Sequence, residues 1–383
     1  MTARGDRLRV AFLIRSLDVG GAERQLCALA RSLDKAQFDV TILTMYAGGG
    51  LWRDLADVPG VRLISLDKRG RWDLVGFGRR LLGQLRVIRP NIVHGYMGGA
   101  NELALVFGRL VGARVVWGIR VSDLDPAHYV WSVGTLFHLG ARLSRRVDLI
   151  IANSEVGRVF HQQHGYDAQR MVVIPNGIDA VHFRPDSAAG RHWRKEHGFP
   201  ASALIVGYPA RLDPMKDHPT FLRAAARLVA QGVDATFVCA GNGPATYQAE
   251  LSALAGRLGL ADRVRWIPAN PDPRPFYNGV DLVTTASAFG EGFPNVVGEA
   301  MACGTPCVAT SVGDAARVIG AFGSIVAPGD HEGLAGHWGE LLTLPAGERA
   351  SLGLRARGWI TAEFSPALLA DRTAKAFQSL FRS

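Results

Sequence analysis

The feature that most restricts the fold is an alternation of short apolar runs with segments long enough for a helix. Runs fall at residues 10–14, 38–43, 61–66, 92–94, 115–117, 149–152 and 172–174. A second series falls at 204–208, 235–239, 264–267, 282–284, 307–309 and 325–327. Strands that are apolar on both faces belong in parallel sheets covered by crossover helices. Two successive series therefore predict an α/β chain with two doubly wound domains. At 383 residues the chain is also longer than one core comfortably organises. The stretch carrying Pro175, Gly177, Pro185, Gly190 and Pro200 is poor in apolar runs. It is the expected boundary, giving domains at 1–184 and 185–364 and a closing helical segment at 365–383.

Composition narrows the class. With 48% apolar and 20% charged residues the chain reads as globular, and no stretch of 18 residues is free of charge, so a spanning helix is not expected. The apolar run at 10–14 lies between Arg9 and Arg15 and is too short for a signal peptide. Cys27, Cys239, Cys303 and Cys307 lack the second Cys or His pair of a zinc site and read as reduced, packed thiols of a cytoplasmic protein. Charge is uneven: residues 1–184 hold 25 Lys and Arg against 16 Asp and Glu, whereas residues 185–383 hold 18 of each. The excess in the first half points to an anionic partner there.

Residues 291–299 read E-G-F-P-N-V-V-G-E, two acids flanking a strand-to-helix turn. Gly292 breaks the strand, and Pro294 suits the first position of a helix that carries Glu299 in its second turn. The helix start offers backbone N–H groups to a phosphate around Phe293, Asn295 and Val296. Taken alone, the two acids suit a solvated, ordinary helix start better than a ligand site. Upstream, Arg211 and Lys216 follow the first strand of the second series, where two cations can neutralise a diphosphate. Gly241 and Gly243 form a G-N-G-P turn after the next strand.

In the first half, Gly20 and Gly21 follow the first strand and open a helix, a setting that favours anions. A G-x-G-x-x-G fingerprint is absent there, which disfavours a dinucleotide. His94 ends an apolar run and is placed at the carboxyl edge of the sheet. Asn101 and Glu102 open the following helix as weaker acceptor contacts. Asp123 and Asp125 form a D-x-D pattern, read as a turn rather than a metal site. The helical segments at 77–89 and 129–146 combine apolar and arginine-rich faces suited to an anionic membrane surface or simply to a solvated helix.

In this order, these motifs resemble the retaining glycosyltransferases of family four, the "group 1" family with the GT-B fold of two Rossmann-like domains. The I-P-N-G-I-D stretch at 174–179 and N-S-E at 153–155 fit the same pattern, so the likeness runs from Gly20 to the closing helix. The resemblance implies a nucleoside-diphosphate sugar in a cleft between the domains, with the closing helix returning to the first. Arg211 and Lys216 would clamp the diphosphate, Gly241 and Gly243 would lie beside the nucleotide, and Glu299 would hold the ribose. Glu291 and His94 would meet the sugar, Gly20 and Gly21 the diphosphate and acceptor. Tyr96 stands where relatives often carry a second histidine.

The expected activity is retaining transfer to an acceptor hydroxyl of a glycan or lipid-linked precursor in bacterial surface glycan synthesis. No cofactor and no metal are expected, and peripheral contact with the inner membrane face fits the charge. Nucleic acid is not expected, because no platform of interleaved basic and aromatic residues is present. A nucleotide-sugar epimerase, a phosphorylase and a non-catalytic sugar-binding protein are the other classes this fold accommodates.

Overall fold

The computed structural model describes residues 7–120, 122 and 131–382. The chain divides into two compact units, one of Met1–Gly177 with Pro366–Ser383, the other of Ile178–Ser365. The break lies ahead of residue 184 because Ile178 and Phe183 are buried in the second unit's core, beside Phe293 and Phe364.

The first unit contains seven strands: β1 (Leu8–Ile14), β2 (Phe38–Thr44), β3 (Val61–Ser65), β4 (Ile92–Tyr96), β5 (Arg114–Ile119), β6 (Leu149–Ala152) and β7 (Met171–Val173). They pair in the order β3-β2-β1-β4-β5-β6-β7, with every pairing parallel. Val10, Phe12 and Ile14 of β1 face one core layer and Ala11 and Leu13 the other, so this strand is apolar because both faces are covered. The helix Pro366–Ser379 buries Leu369, Ala370 and Phe377 in the first of these layers.

The second unit holds β8 (Leu204–Pro209), β9 (Ala235–Ala240), β10 (Val264–Ile267), β11 (Leu282–Thr285), β12 (Cys307–Thr310) and β13 (Ser324–Val326). Their order is β10-β9-β8-β11-β12-β13, again with every pairing parallel. The amino ends of its central strands β8 and β11 are tied by an ionic knot. Asp281 accepts from Arg194 at 2.7 Å and from Arg349 at 3.0 Å, and its Oδ2 also accepts the Ile205 amide at 2.9 Å.

In each sheet the strand order reverses direction once, between β1 and β4 and between β8 and β11. Open α/β sheets bind ligands outside the carboxyl ends of the strands at such reversals. All four cysteines are buried and free. No described helix is long and apolar enough to cross a membrane.

Candidate functional site

The loops leaving β8 and β11 meet at the second unit's reversal point. After β8, a 3-10 turn at Pro214–Lys216 is capped by Asp213, whose Oδ1 accepts from the Met215 amide at 3.0 Å. The Ala288 amide donates to the Met215 carbonyl at 2.9 Å, and the Tyr208 hydroxyl donates to the Lys216 carbonyl. These bonds tie the two loops together and bring the Lys216 ammonium onto Glu291, although 75 residues separate them in sequence.

The Lys216 and Glu291 side chains are 16% and 17% exposed. Glu291 Oε1 also accepts from Ser287 Oγ at 2.8 Å. Burial alone would raise the Glu291 carboxyl, but the Lys216 charge and hydrogen bond, the Ser287 hydroxyl and Arg211 outweigh it and hold the group below the usual carboxylate range. Arg211 is 72% exposed, with Asp213 at 3.7 Å, and its charge still acts on Glu291. The structure therefore brings Arg211, Lys216 and Glu291 into one electrostatic site.

The backbone around Glu291 is held from β12. Thr310 Oγ1 donates to the Ser287 carbonyl at 2.7 Å, and the Asp314 amide donates to the Gly292 carbonyl at 2.9 Å. Gly313 has φ +58°, and a Cβ there would lie 2.3 Å from the carbonyl oxygens of Glu291 and Gly292. The following helix is Asn295–Ala302, so Pro294 is its cap and not its first residue, a one-residue shift common at helix ends. The Phe293 side chain is buried against Phe364 at 5.4 Å, so this residue offers a ligand its backbone only. Asn295 and Val296, in the first turn, are half-buried, whereas Glu299 is buried and accepts from the Tyr277 hydroxyl at 2.8 Å.

Gly241 and Gly243 make a close backbone contact. A Cβ at Gly241 would lie 1.9 Å from the Ala210 carbonyl oxygen, and one at Gly243 2.4 Å from Leu212. The Leu212 amide donates to the Asn242 carbonyl at 2.9 Å. These glycines let the loop after β9 press against the loop that carries Arg211.

The first unit departs from expectation at His94. β4 continues to Tyr96, so His94 sits in mid-strand, paired with Phe12 and Val116, and is fully buried. Its ring packs among Phe12, Tyr96 and Phe377 at 5.3, 5.1 and 5.8 Å. Burial first, and the Arg120 charge second, hold its pKa well below the ordinary histidine value. His94 is thus a neutral core group and not a side chain displayed at the sheet edge.

Gly20 caps the helix Gly21–Ser32 as expected, but Glu23 folds back over it: a Cβ at Gly20 would lie 2.3 Å from Glu23 Oε2. The helix start is faced by its own carboxylate. Asn101 is buried and exchanges bonds of 3.1 and 3.2 Å with the Gly118 backbone, and Glu102 accepts from the Gly99 amide, so both brace the strand ends. Asp123 and Asp125 lie outside the described residues.

Sequence reasoning missed Ser287, Tyr277 and Gly313. A hydroxyl four residues ahead of Glu291 was the only visible hint of Ser287.

Two parallel doubly wound units, of seven and six strands, are the architecture of the GT-B class. Solved structures agree on the fold. HepE of Anabaena in complex with UDP-glucose superposes with a TM-score of 0.83 at 23% identity, over 97% of this chain and 100% of that one. Sucrose-phosphate synthase from Thermosynechococcus elongatus gives 0.81 at 20%, over 98% and 99%.

Two family models match, "Glycosyltransferase Family 4" at residues 19–182 and "Glycosyl transferases group 1" at residues 203–343. The chain belongs to the group 1, family four glycosyltransferases. Among its relatives, EpsF of Bacillus subtilis (strain 168) is 26% identical over 311 residues, 78% of each chain. The D-inositol 3-phosphate glycosyltransferase of Mycobacterium tuberculosis (strain ATCC 25177 / H37Ra) is 33% identical over 225 residues, 57% of this chain and 45% of that protein.

Proposed function

We propose that this glycosyltransferase moves a sugar, with retention, from a nucleoside-diphosphate sugar to an acceptor hydroxyl of a lipid-linked or polysaccharide precursor. The carrying observation is the Lys216–Glu291–Ser287 cluster beside Arg211 at the second unit's reversal point. On this reading Arg211 and Lys216 take the diphosphate and offset the charge that grows on it as the glycosidic bond breaks. The first turn of the helix Asn295–Ala302 adds backbone donors. Tyr277 holds Glu299 for the ribose hydroxyls, and Ser287 holds Glu291 for the sugar.

With His94 withdrawn into the core, no histidine of the first unit is assigned to the sugar. Retention then proceeds by attack on the face the diphosphate leaves, with a leaving phosphate oxygen taking the acceptor proton. The two cations supply the positive charge that a metal would otherwise bring, so transfer should persist in excess EDTA. Activity lost there and restored by manganese would overturn that part.

HepE structures hold UDP and UDP-glucose, which makes uridine nucleotides the first donors to test. Titration calorimetry of the uridine, guanosine and adenosine diphosphates and their glucose conjugates identifies the base. Binding of none of them by the folded protein would reject the donor reading. The first unit also exposes Trp72 (80%), Leu74 and Val75 beside Arg69, Arg71 and Arg79. This pattern supports peripheral contact with an anionic membrane at its cytoplasmic face. Cosedimentation with phosphatidylglycerol vesicles should fall in Trp72→Ser; unchanged cosedimentation would remove this patch.

A further inference from the structure

Among the described residues, several buried polar atoms at the β4–β5 end of the first sheet have no partner: both ring nitrogens of His94, the Tyr96 hydroxyl and Arg120 Nε. They form one cluster. The His94 and Tyr96 rings lie 5.1 Å apart, and the Arg120 guanidinium carbon stands 4.2 Å from the Tyr96 ring centre. Native interiors leave few buried polar atoms unpaired, and a group of them calls for an explanation, such as a bound ion.

Arg120 carries the argument. It follows the last residue of β5 at the carboxyl edge, and its Nη1 donates to Asn176 Oδ1 at 3.2 Å. Among the described residues no carboxylate pairs with it. A guanidinium stays charged, and holding one in a largely desolvated place without a counter-ion is costly unless an anion arrives. Burial, more than any other cause, raises the nearby Glu23 carboxyl and pushes the Cys27 thiol up to about 12. Arg120 itself is half-buried, so the cluster reaches the surface through it. β4 ends at Tyr96, Met97 takes a left-handed φ of +72°, and Cβ positions built at Gly98 and Gly99 meet nothing within 4 Å.

We propose that Arg120, standing on the Tyr96 ring, binds a phosphoryl group of the acceptor, which makes the acceptor a phosphate- or diphosphate-bearing molecule. The guanidinium fork stands over the ring that carries the unpartnered Tyr96 hydroxyl. That set suits the several oxygens of a phosphoryl group better than the two in-plane oxygens of a carboxylate. Only the word acceptor rests on the transferase reading; the anion site stands on the first unit alone.

The test uses the full chain and inorganic phosphate at constant ionic strength, with thermal unfolding as readout. Phosphate also meets the Lys216 site, so the comparison is made in the Lys216→Ala protein. There the phosphate-dependent rise in Tm should persist. Adding Arg120→Gln should raise the half-maximal phosphate concentration at least about tenfold, as expected for loss of charge-assisted bonds. Tyr96→Phe keeps the ring on which Arg120 rests and should weaken the response several-fold, so the question survives if Arg120→Gln folds poorly. A phosphate response unchanged by both substitutions overturns the site.

Detergent-dispersed polyprenyl phosphate and soluble hexose phosphate then separate the sources. An Arg120-dependent response to one of them identifies the acceptor as lipid-borne or soluble, and none to either rejects the acceptor assignment. Failure of nucleotide binding alongside an intact Arg120-dependent phosphate response would sink the transferase reading and leave this site in place.

Discussion

Lys216→Met keeps most of the side-chain volume and deletes the charge that faces Glu291. Removing one partner of a fully buried ion pair costs about 3–5 kcal/mol. Here each side chain keeps roughly a sixth of its exposure and Ser287 still bonds the carboxylate, so about 2 kcal/mol is expected at neutral pH. The loss carries a pH signature. In the native protein burial raises the Glu291 carboxyl, but Lys216, Ser287 and Arg211 outweigh it and depress the group. A depressed carboxyl contributes stability that is present above its unfolded value near about 4.3 and lost as pH falls through the folded value. Without Lys216 the burial remains and the largest opposing charge is gone, so the carboxyl moves upward and the variant is relieved by protonation. Urea unfolding of both proteins at several pH values should show the full gap at neutrality and a closing gap as pH drops through about 4.3. A gap that stays constant across that range would refute the pairing as drawn. Donor turnover should fall by about 10²–10³, the usual cost of one lost stabiliser of developing charge; near-native turnover would remove Lys216 from the transition state.

Three further outcomes are expected of the same fold. His218 is buried between Tyr208 and Trp266, and burial, then Lys216, lower its pKa to about 4. Its contribution is full above about 6.5 and is lost as pH falls toward the folded value, at up to about 1.4 kcal/mol per pH unit, so His218→Phe should flatten the acid slope of the unfolding free energy. An unchanged slope would show that His218 is not held neutral. Asp281→Ala strands two guanidinium groups and the Ile205 amide and should cost about 3 kcal/mol in urea unfolding; a loss under about 1 kcal/mol would mean that the knot is solvated. Gly241→Ala drives a methyl group into the Ala210 carbonyl and should cost about 1–3 kcal/mol while raising the donor KM through Arg211; a silent substitution would show that the two loops are not in contact.

The fold was legible because its central strands are buried on both faces and announce themselves as apolar runs, with the half-buried edge strands β3, β7, β10 and β13 read from the same spacing. The end of β4 was the instructive failure. Gly95 and Tyr96 do not extend an apolar run, so the strand looked finished at His94 and the histidine looked displayed. In the sheet, Gly95 pairs with Leu13 and Trp117, the strand runs on, and Phe377 from the far end of the chain closes over the ring. A helix 283 residues further on decides whether His94 is a ligand or a core residue, and no local pattern carries that information. Arg120 was hidden for a related reason. Its type is ordinary, and only the tertiary structure shows that no described carboxylate pairs with it.

The second unit was easier to read because its site is made by adjacency of strands. β8 and β11 are neighbours, so whatever follows them converges, and a cation after one and an acid after the other were bound to face each other. What the structure adds is that the two are already partners. On the proposed reading this changes the part Glu291 plays. The Lys216 ammonium cannot fully neutralise both Glu291 and an arriving diphosphate, and the diphosphate bears more charge and can also draw on Arg211 and the helix start. Donor binding therefore loosens the hold of Lys216 on Glu291 while Ser287 keeps its bond. The carboxylate is left pointing an acceptor oxygen at whatever hydroxyl the sugar presents. On that reading Glu291 would sense the loaded diphosphate, positioning the sugar only once the leaving group is in place, with no need to act as a nucleophile.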